Sequence, residues 1–176
     1  MPDRNPVYVR ATTEEESPYF ANRSSAEVVI ATLIQAQTDG WAKLHGFVVL
    51  PEALEMVVTP LKHGIASLVA HIQAETIPLL AIMLPNAVQI WERRFMQVSL
   101  TSQRSLDARL EILLLSPVAN GLVNLARAYP YSSANPRYAT SMTVFAGFAN
   151  ETDTTEASKI SPMAVSARPP VFKQSG

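Results

Sequence analysis

Residues 44–59 read Leu-His-Gly-Phe-Val-Val-Leu-Pro-Glu-Ala-Leu-Glu-Met-Val-Val-Thr, and the fold is decided by how this stretch is read. Phe47 to Leu50 is a short apolar run rich in β-formers, Pro51 interrupts it, and Leu54 to Val58 begins a second run. Proline has no N–H to give a sheet ladder, so Pro51 belongs to the turn of a hairpin. In the second strand Ala53, Glu55 and Val57 share one face, and Leu54, Met56 and Val58 share the other. Glu55 is a lone carboxylate on an otherwise apolar strand. Read from the residues alone, it belongs at an edge or on an open face, in solvent.

Outward from the hairpin, helix and strand patterns alternate. Val7 to Thr13 reads as a first strand, followed by the polar loop Glu14-Glu15-Glu16-Ser17-Pro18. Ser24 and Glu27 have capping-box spacing, and Ala26, Val29, Ile30, Leu33 and Ile34 form one helical stripe that stops at Asp39-Gly40. After the hairpin, Ile65, Leu68, Val69 and Ile72 mark a second helix, and Pro78 and Pro85 bound the segment beyond it. Residues 88–100 alternate as a fourth strand. Ser105 is read as the cap of a third helix bearing Leu106, Leu110, Leu113 and Leu114, with Ser116-Pro117 ending it and Asn120-Gly121 turning the chain. The order predicts an α+β fold: a ferredoxin-like (split βαβ) antiparallel sheet with helices on one face. Residues 1–140 are taken as one domain and 141–176 as a C-terminal tail, largely disordered, since that segment lacks periodicity.

With 48% hydrophobic and 16% charged residues, the 176-residue chain can bury a sizeable core. A net charge of −1 gives no global basic field for a nucleic acid or a membrane surface. The absence of cysteine excludes disulfides and thiolate metal sites. The first residues lack a signal-peptide pattern, and the apolar run from Ile77 to Val88 is broken by Pro78, Pro85 and Asn86. A soluble, cytoplasmic protein without a membrane partner is expected.

Four fragments carry a resemblance: Val-Val-Leu-Pro-Glu-Ala-Leu-Glu-Met-Val (48–57), Ile-Trp-Glu-Arg-Arg-Phe (90–95), Leu-Ser-Pro-Val-Ala-Asn-Gly-Leu-Val (115–123) and Tyr-Pro-Tyr-Ser-Ser (129–133). Their order resembles that of single-tyrosine HUH transposases, the REP-associated branch above all, over residues 7–140. The resemblance implies two strand histidines holding Mg²⁺ or Mn²⁺, a helix tyrosine that attacks the scissile phosphate of single-stranded DNA, and a polar residue one turn later. Here the histidine positions align with Ala53 and Glu55, the tyrosine with Ile112 and the polar residue with Ser116. Alanine offers no ligand atom and isoleucine no nucleophile. The expectation is a scaffold with a degenerate catalytic site, no catalytic residues, no required cofactor, and Glu55 as a weak metal candidate. Ala53 and Ile112 are expected to pack together, with Glu55 within reach of Ser116.

What remains is basic. Arg93 and Arg94 beside Trp91 and Phe95 would suit a single strand laid across a sheet, with Arg10 and Arg104 as further contacts and Trp91 as a packing or stacking platform. Lys62 and Arg109 would extend the patch. Tyr8, Tyr19 and at least two of Tyr129, Tyr131 and Tyr138 read as packing residues, and the spacing of His45, His63 and His71 fits no metal motif. The leading reading is a transposase-derived protein that binds single-stranded or hairpin DNA without cleaving it, able to form a homodimer. The alternatives are a working metal-dependent endonuclease using Glu55 and an unaligned tyrosine, and an interaction module or decayed transposase.

Overall fold

The computed structural model describes residues 4–148. Its centre is the hairpin of β2 (Ala42–Leu50) and β3 (Ala53–Pro60), in which Leu50 pairs with Ala53, so that Pro51 and Glu52 alone make the turn. Thr13 N donates to the Glu52 carbonyl and Phe20 N to the Pro51 carbonyl, each at 2.9 Å, which ties the turn to the rest of the fold. With β1 (Val7–Thr13) and β4 (Trp91–Ser99) the strands order β2-β3-β1-β4, every neighbour antiparallel. Helix α1 (Arg23–Thr38) joins β1 to β2, α2 (Ile65–Met83) joins β3 to β4, and α3 (Gln103–Ala119) follows β4. This is the split βαβ order predicted from the sequence.

The two sheet faces differ. Val9, Ala11, Phe47, Val49, Leu54 and Met56 point into a core shared with α1 and α2. Tyr8, Arg10, Val48, Ala53, Glu55 and Val57 point the other way, where α3 lies. There the Arg109 guanidinium sits 4.3 Å above the Tyr8 ring. A Cβ on Gly46 would come within 2.9 Å of Leu110, so α3 needs a residue without a side chain at that point. Two helices thus cover one face as expected, and the third covers the opposite one.

Several local features differ from the sequence reading. The N-cap of α1 is Asn22, whose side chain accepts from Ser25 N at 3.2 Å; Ser24 lies inside the helix, and Glu27 pairs with Arg23 instead. Asn22→Ala should therefore cost about 1 kcal/mol and Ser24→Ala close to nothing, a contrast that urea denaturation of the two variants measures directly. Pro78 does not bound α2 but sits inside it. Its missing N–H leaves the Ala74 carbonyl to water, which exposed Ala74 allows. Helix α2 is consequently long and apolar enough to cross a membrane by length and composition, yet Leu68, Val69, Ile72 and Leu80 are buried against α1 and the sheet. Pro117 likewise lies within α3, which ends at Ala119 with Gly121 at φ +74°.

The free edge of β2 is closed by a distant segment. Val49 N donates to Tyr131 O (2.8 Å), Ser133 N to Phe47 O (3.0 Å), and the Ser133 hydroxyl accepts from Phe47 N (2.9 Å). The Tyr129 hydroxyl donates to Val49 O at 2.8 Å, and burial pushes its pKa up to about 12. Of the three tyrosines in and after this loop, Tyr129 and Tyr138 are buried and Tyr131 is half-buried, which meets the expectation of at least two packing rings. Ordered packing continues past residue 140: Thr143 N donates to Leu44 O (2.7 Å), and the His45 ring lies between the Thr143 carbonyl (2.6 Å) and the Thr59 hydroxyl (2.8 Å). One compact unit holds residues 4–101 and 105–144. A second holds 102–104 and the described residues from 145, where the Phe145 and Phe148 rings lie 4.8 Å apart. The rest of the expected tail falls outside the described residues.

Candidate nucleic-acid interface

On the α3 face, the cross-strand pair Arg10 and Glu55 is an ion pair between the guanidinium Nη1 and the carboxylate Oε2. A second carboxylate, Glu52 of the hairpin turn, lies 3.6 Å from the same guanidinium. Glu55 is 7% exposed on an interior strand, which overturns the reading of a solvated edge residue. Two strands flank β3 and α3 lies over it, so a charge at this position needs a partner, and β1 supplies one directly opposite. Tyr8, two residues before Arg10 on the same face, has its pKa raised, first by burial and then by the Glu55 charge, with Arg10 and Arg109 pulling it back.

These residues do not fit a divalent ion. Ala53 has no donor atom, Glu55 is engaged by a guanidinium whose charge would repel a cation, and no cluster of three or more His, Cys, Asp or Glu suited to a metal exists among the described residues. Ala53 is fully buried while Ile112 is 59% exposed, so the two do not close over each other; Leu106 and Leu113 supply the buried apolar contacts of α3. The Ser116 hydroxyl is buried with no hydrogen-bond partner among the described residues, so it does not bond Glu55.

Trp91 takes the packing half of its expected role. It is 4% exposed on the α1–α2 side, its ring centroid 5.1 Å from that of Phe20, and its indole N–H donates to the Thr76 hydroxyl at 3.0 Å. Arg93 and Arg94 are exposed and line an open hollow of about 790 Å³, but Glu14, Glu15, Glu16 and Glu92 line it too. Glu92 accepts from Glu15 N at 3.0 Å. Glu15 and Glu16 both take left-handed φ (53° and 54°), and desolvation followed by the Glu92 charge raises the Glu14 pKa. The two arginines therefore face four carboxylates. Arg104 is exposed in the first turn of α3, in the second unit.

Alternation along β4 puts Met96 (55% exposed) and Val98 (37%) on the Arg10 side, paired with Arg10 and Tyr8. This apolar strip on the edge strand was not singled out from the sequence. The strand period of two, applied to β4 as it was to β3, would have found it.

The sheet order, with one helix across the face opposite the other two, is a fold shared with solved transposase structures. In particular, the chain matches the structure of a REP-associated tyrosine transposase bound to a REP hairpin, with a TM-score of 0.65 and 16% identity over 84% of this chain and 88% of that one. It also matches a candidate transposase from Deinococcus radiodurans R1, with a TM-score of 0.50 and 11% identity over 64% of this chain and 91% of that one. At these identities the likeness is one of fold. No family model matches the chain, and no curated protein matches its sequence.

Proposed function

We propose that this chain is a transposase-like protein that binds single-stranded or hairpin DNA and does not cleave it. The observation that carries the reading is the Arg10–Glu55 pair: where the resemblance expects a metal between strand ligands, this chain has an internal cation already matched to its carboxylate. Strand cleavage then has neither a metal nor, at Ile112, a nucleophile, while the fold shared with a hairpin-bound transposase supports DNA as the ligand. In place of Trp91, the exposed Met96 and Val98 offer bases an apolar strip, with phosphates reaching Arg94 on the same side and the hollow it shares with Arg93. The four glutamates beside them keep this binding weak and salt-sensitive.

A labelled single-stranded oligonucleotide, titrated at low salt and then at rising salt, tests the proposal. Expected are weak binding that fades steeply and no covalent adduct in Mg²⁺ or Mn²⁺. In Arg93→Ala with Arg94→Ala the salt slope should flatten by roughly 0.7 for each phosphate no longer neutralised. The tyrosine beside Glu55 is Tyr8. A denaturation-resistant protein–DNA band that disappears in Tyr8→Phe would overturn the proposal in favour of an active endonuclease. Absence of binding at the lowest salt would favour the interaction module.

A further inference from the structure

Helices α1 and α2 pack antiparallel, and between their outer stripes runs a hollow of about 580 Å³. From α2 it is lined by His71, Glu75, Leu79 and Met83, each one turn from the next. The Ser25 hydroxyl lies 4.0 Å from the Met83 sulfur, so the start of α1 sits against the end of α2. The groove is graded along its length. Val28, Ala31, Leu79 and Met83 make an apolar end, and Asp39 and Glu75 an acidic one. Beside the apolar end Ile82 is 76% exposed, and Glu75 is the one Asp, Glu, Lys or Arg in all of α2. A helix facing only water carries mostly polar residues on its outer side; this one exposes Ile77, Leu79 and Ile82 beside the single charge of Glu75.

We propose that this groove is a docking site for a basic amphipathic helix of another protein. The charges select the partner. Among the described residues, Glu27, Asp39 and Glu75 line the groove, and no Lys or Arg does. Glu27 is already paired with Arg23 and Arg137, whereas Asp39 accepts from the neutral Gln35 amide at 2.9 Å, so the incoming chain meets the charges of Asp39 and Glu75. Asp39 is also the C-cap of α1, where the helix's terminal carbonyls add negative potential. A second copy of this chain would set acid against acid. From His71 to Met83 the groove spans about 18 Å, the length of three to four helical turns. The partner helix therefore places two or three apolar side chains at i, i+4 and i+7 against Leu79 and Met83, and Lys or Arg about two turns away against Glu75 and Asp39.

The test uses a synthetic Leu/Lys amphipathic peptide of about 15 residues, a matched Leu/Glu peptide, and the full chain, read by fluorescence anisotropy. The Leu/Lys peptide should bind saturably. Asp39→Lys with Glu75→Lys should weaken it about tenfold or more, and Leu79→Ser comparably, whereas Glu16→Lys in the other hollow should leave it unchanged. Positions 39, 75 and 79 are exposed, and thermal melts verify that the variants fold. Three outcomes overturn the proposal. They are absence of saturable binding, equal weakening by Glu16→Lys, and a concentration-dependent dimer abolished by Ile82→Glu, which would assign the face to a second copy.

Discussion

Glu55→Ala should lower the unfolding free energy by about 3 kcal/mol and the Tm by roughly 10 °C, while Arg10→Met with Glu55→Leu should stay within about 1 kcal/mol of the parent. The single variant leaves a guanidinium under α3 with only Glu52 at 3.6 Å to answer it, and the Arg10 side chain is 24% exposed, so water makes good little of the loss. The double variant removes both desolvation costs and fills the space with apolar volume. Urea denaturation of Arg10→Met, Glu55→Leu and the double variant completes the cycle. Strictly additive losses would mean that the two side chains are not coupled and that the ion pair does not hold this part of the sheet.

Trp91→Ala should cost more, roughly 3–5 kcal/mol, because it removes a buried indole from the junction of β4, α2 and Phe20. It also removes the indole N–H donor to the fully buried Thr76 hydroxyl, which keeps only the bond it donates within α2, to Ile72 O at 2.9 Å. Trp91→Phe keeps most of the packing and loses only the indole hydrogen bond, about 1–2 kcal/mol. The informative measurement is oligonucleotide affinity of the folded Trp91→Phe protein. It should equal that of the parent, and a selective loss of binding would mean that the ring reaches the DNA after all.

The hairpin, the strands and the helices α1 and α2 are legible in the sequence because each rests on local chemistry: Pro51 forces a turn, alternation forces a strand, and the stripe of Val29, Ile30 and Leu33 forces a helix to face the core. What escapes such a reading depends on residues far apart in sequence. Glu55 reads as solvated until its partner is known, and Arg10 lies 45 positions away. The resemblance assigns Ile112 to the sheet side. One residue along a helix is about 100° of rotation, and it is Leu113 that turns inward. Trp91 and Arg94 look like one cation–aromatic cluster in the sequence, but they occupy opposite sides of the sheet. At the start of α1, the Ser24–Glu27 spacing competes with Asn22, and the asparagine takes the cap because its side chain reaches Ser25 N.

The lock on the β2 edge has a consequence for how the chain is made. Ser133, whose hydroxyl meets Phe47 N, follows it by 86 positions. At ribosomal speeds of roughly 5–20 residues per second, the hairpin is out of step with its own cover by roughly 4–17 s. Through that interval the nascent protein offers an apolar strand, Phe47 to Leu50, with its outer hydrogen-bonding groups unmet. Slow codons in the stretch between α3 and Tyr129 would lengthen this exposure, and a chaperone that masks extended segments would shorten it. The tyrosine-serine loop therefore bears on yield as well as on stability: whatever hastens its arrival spares the newborn sheet from pairing with a neighbour on the same polysome.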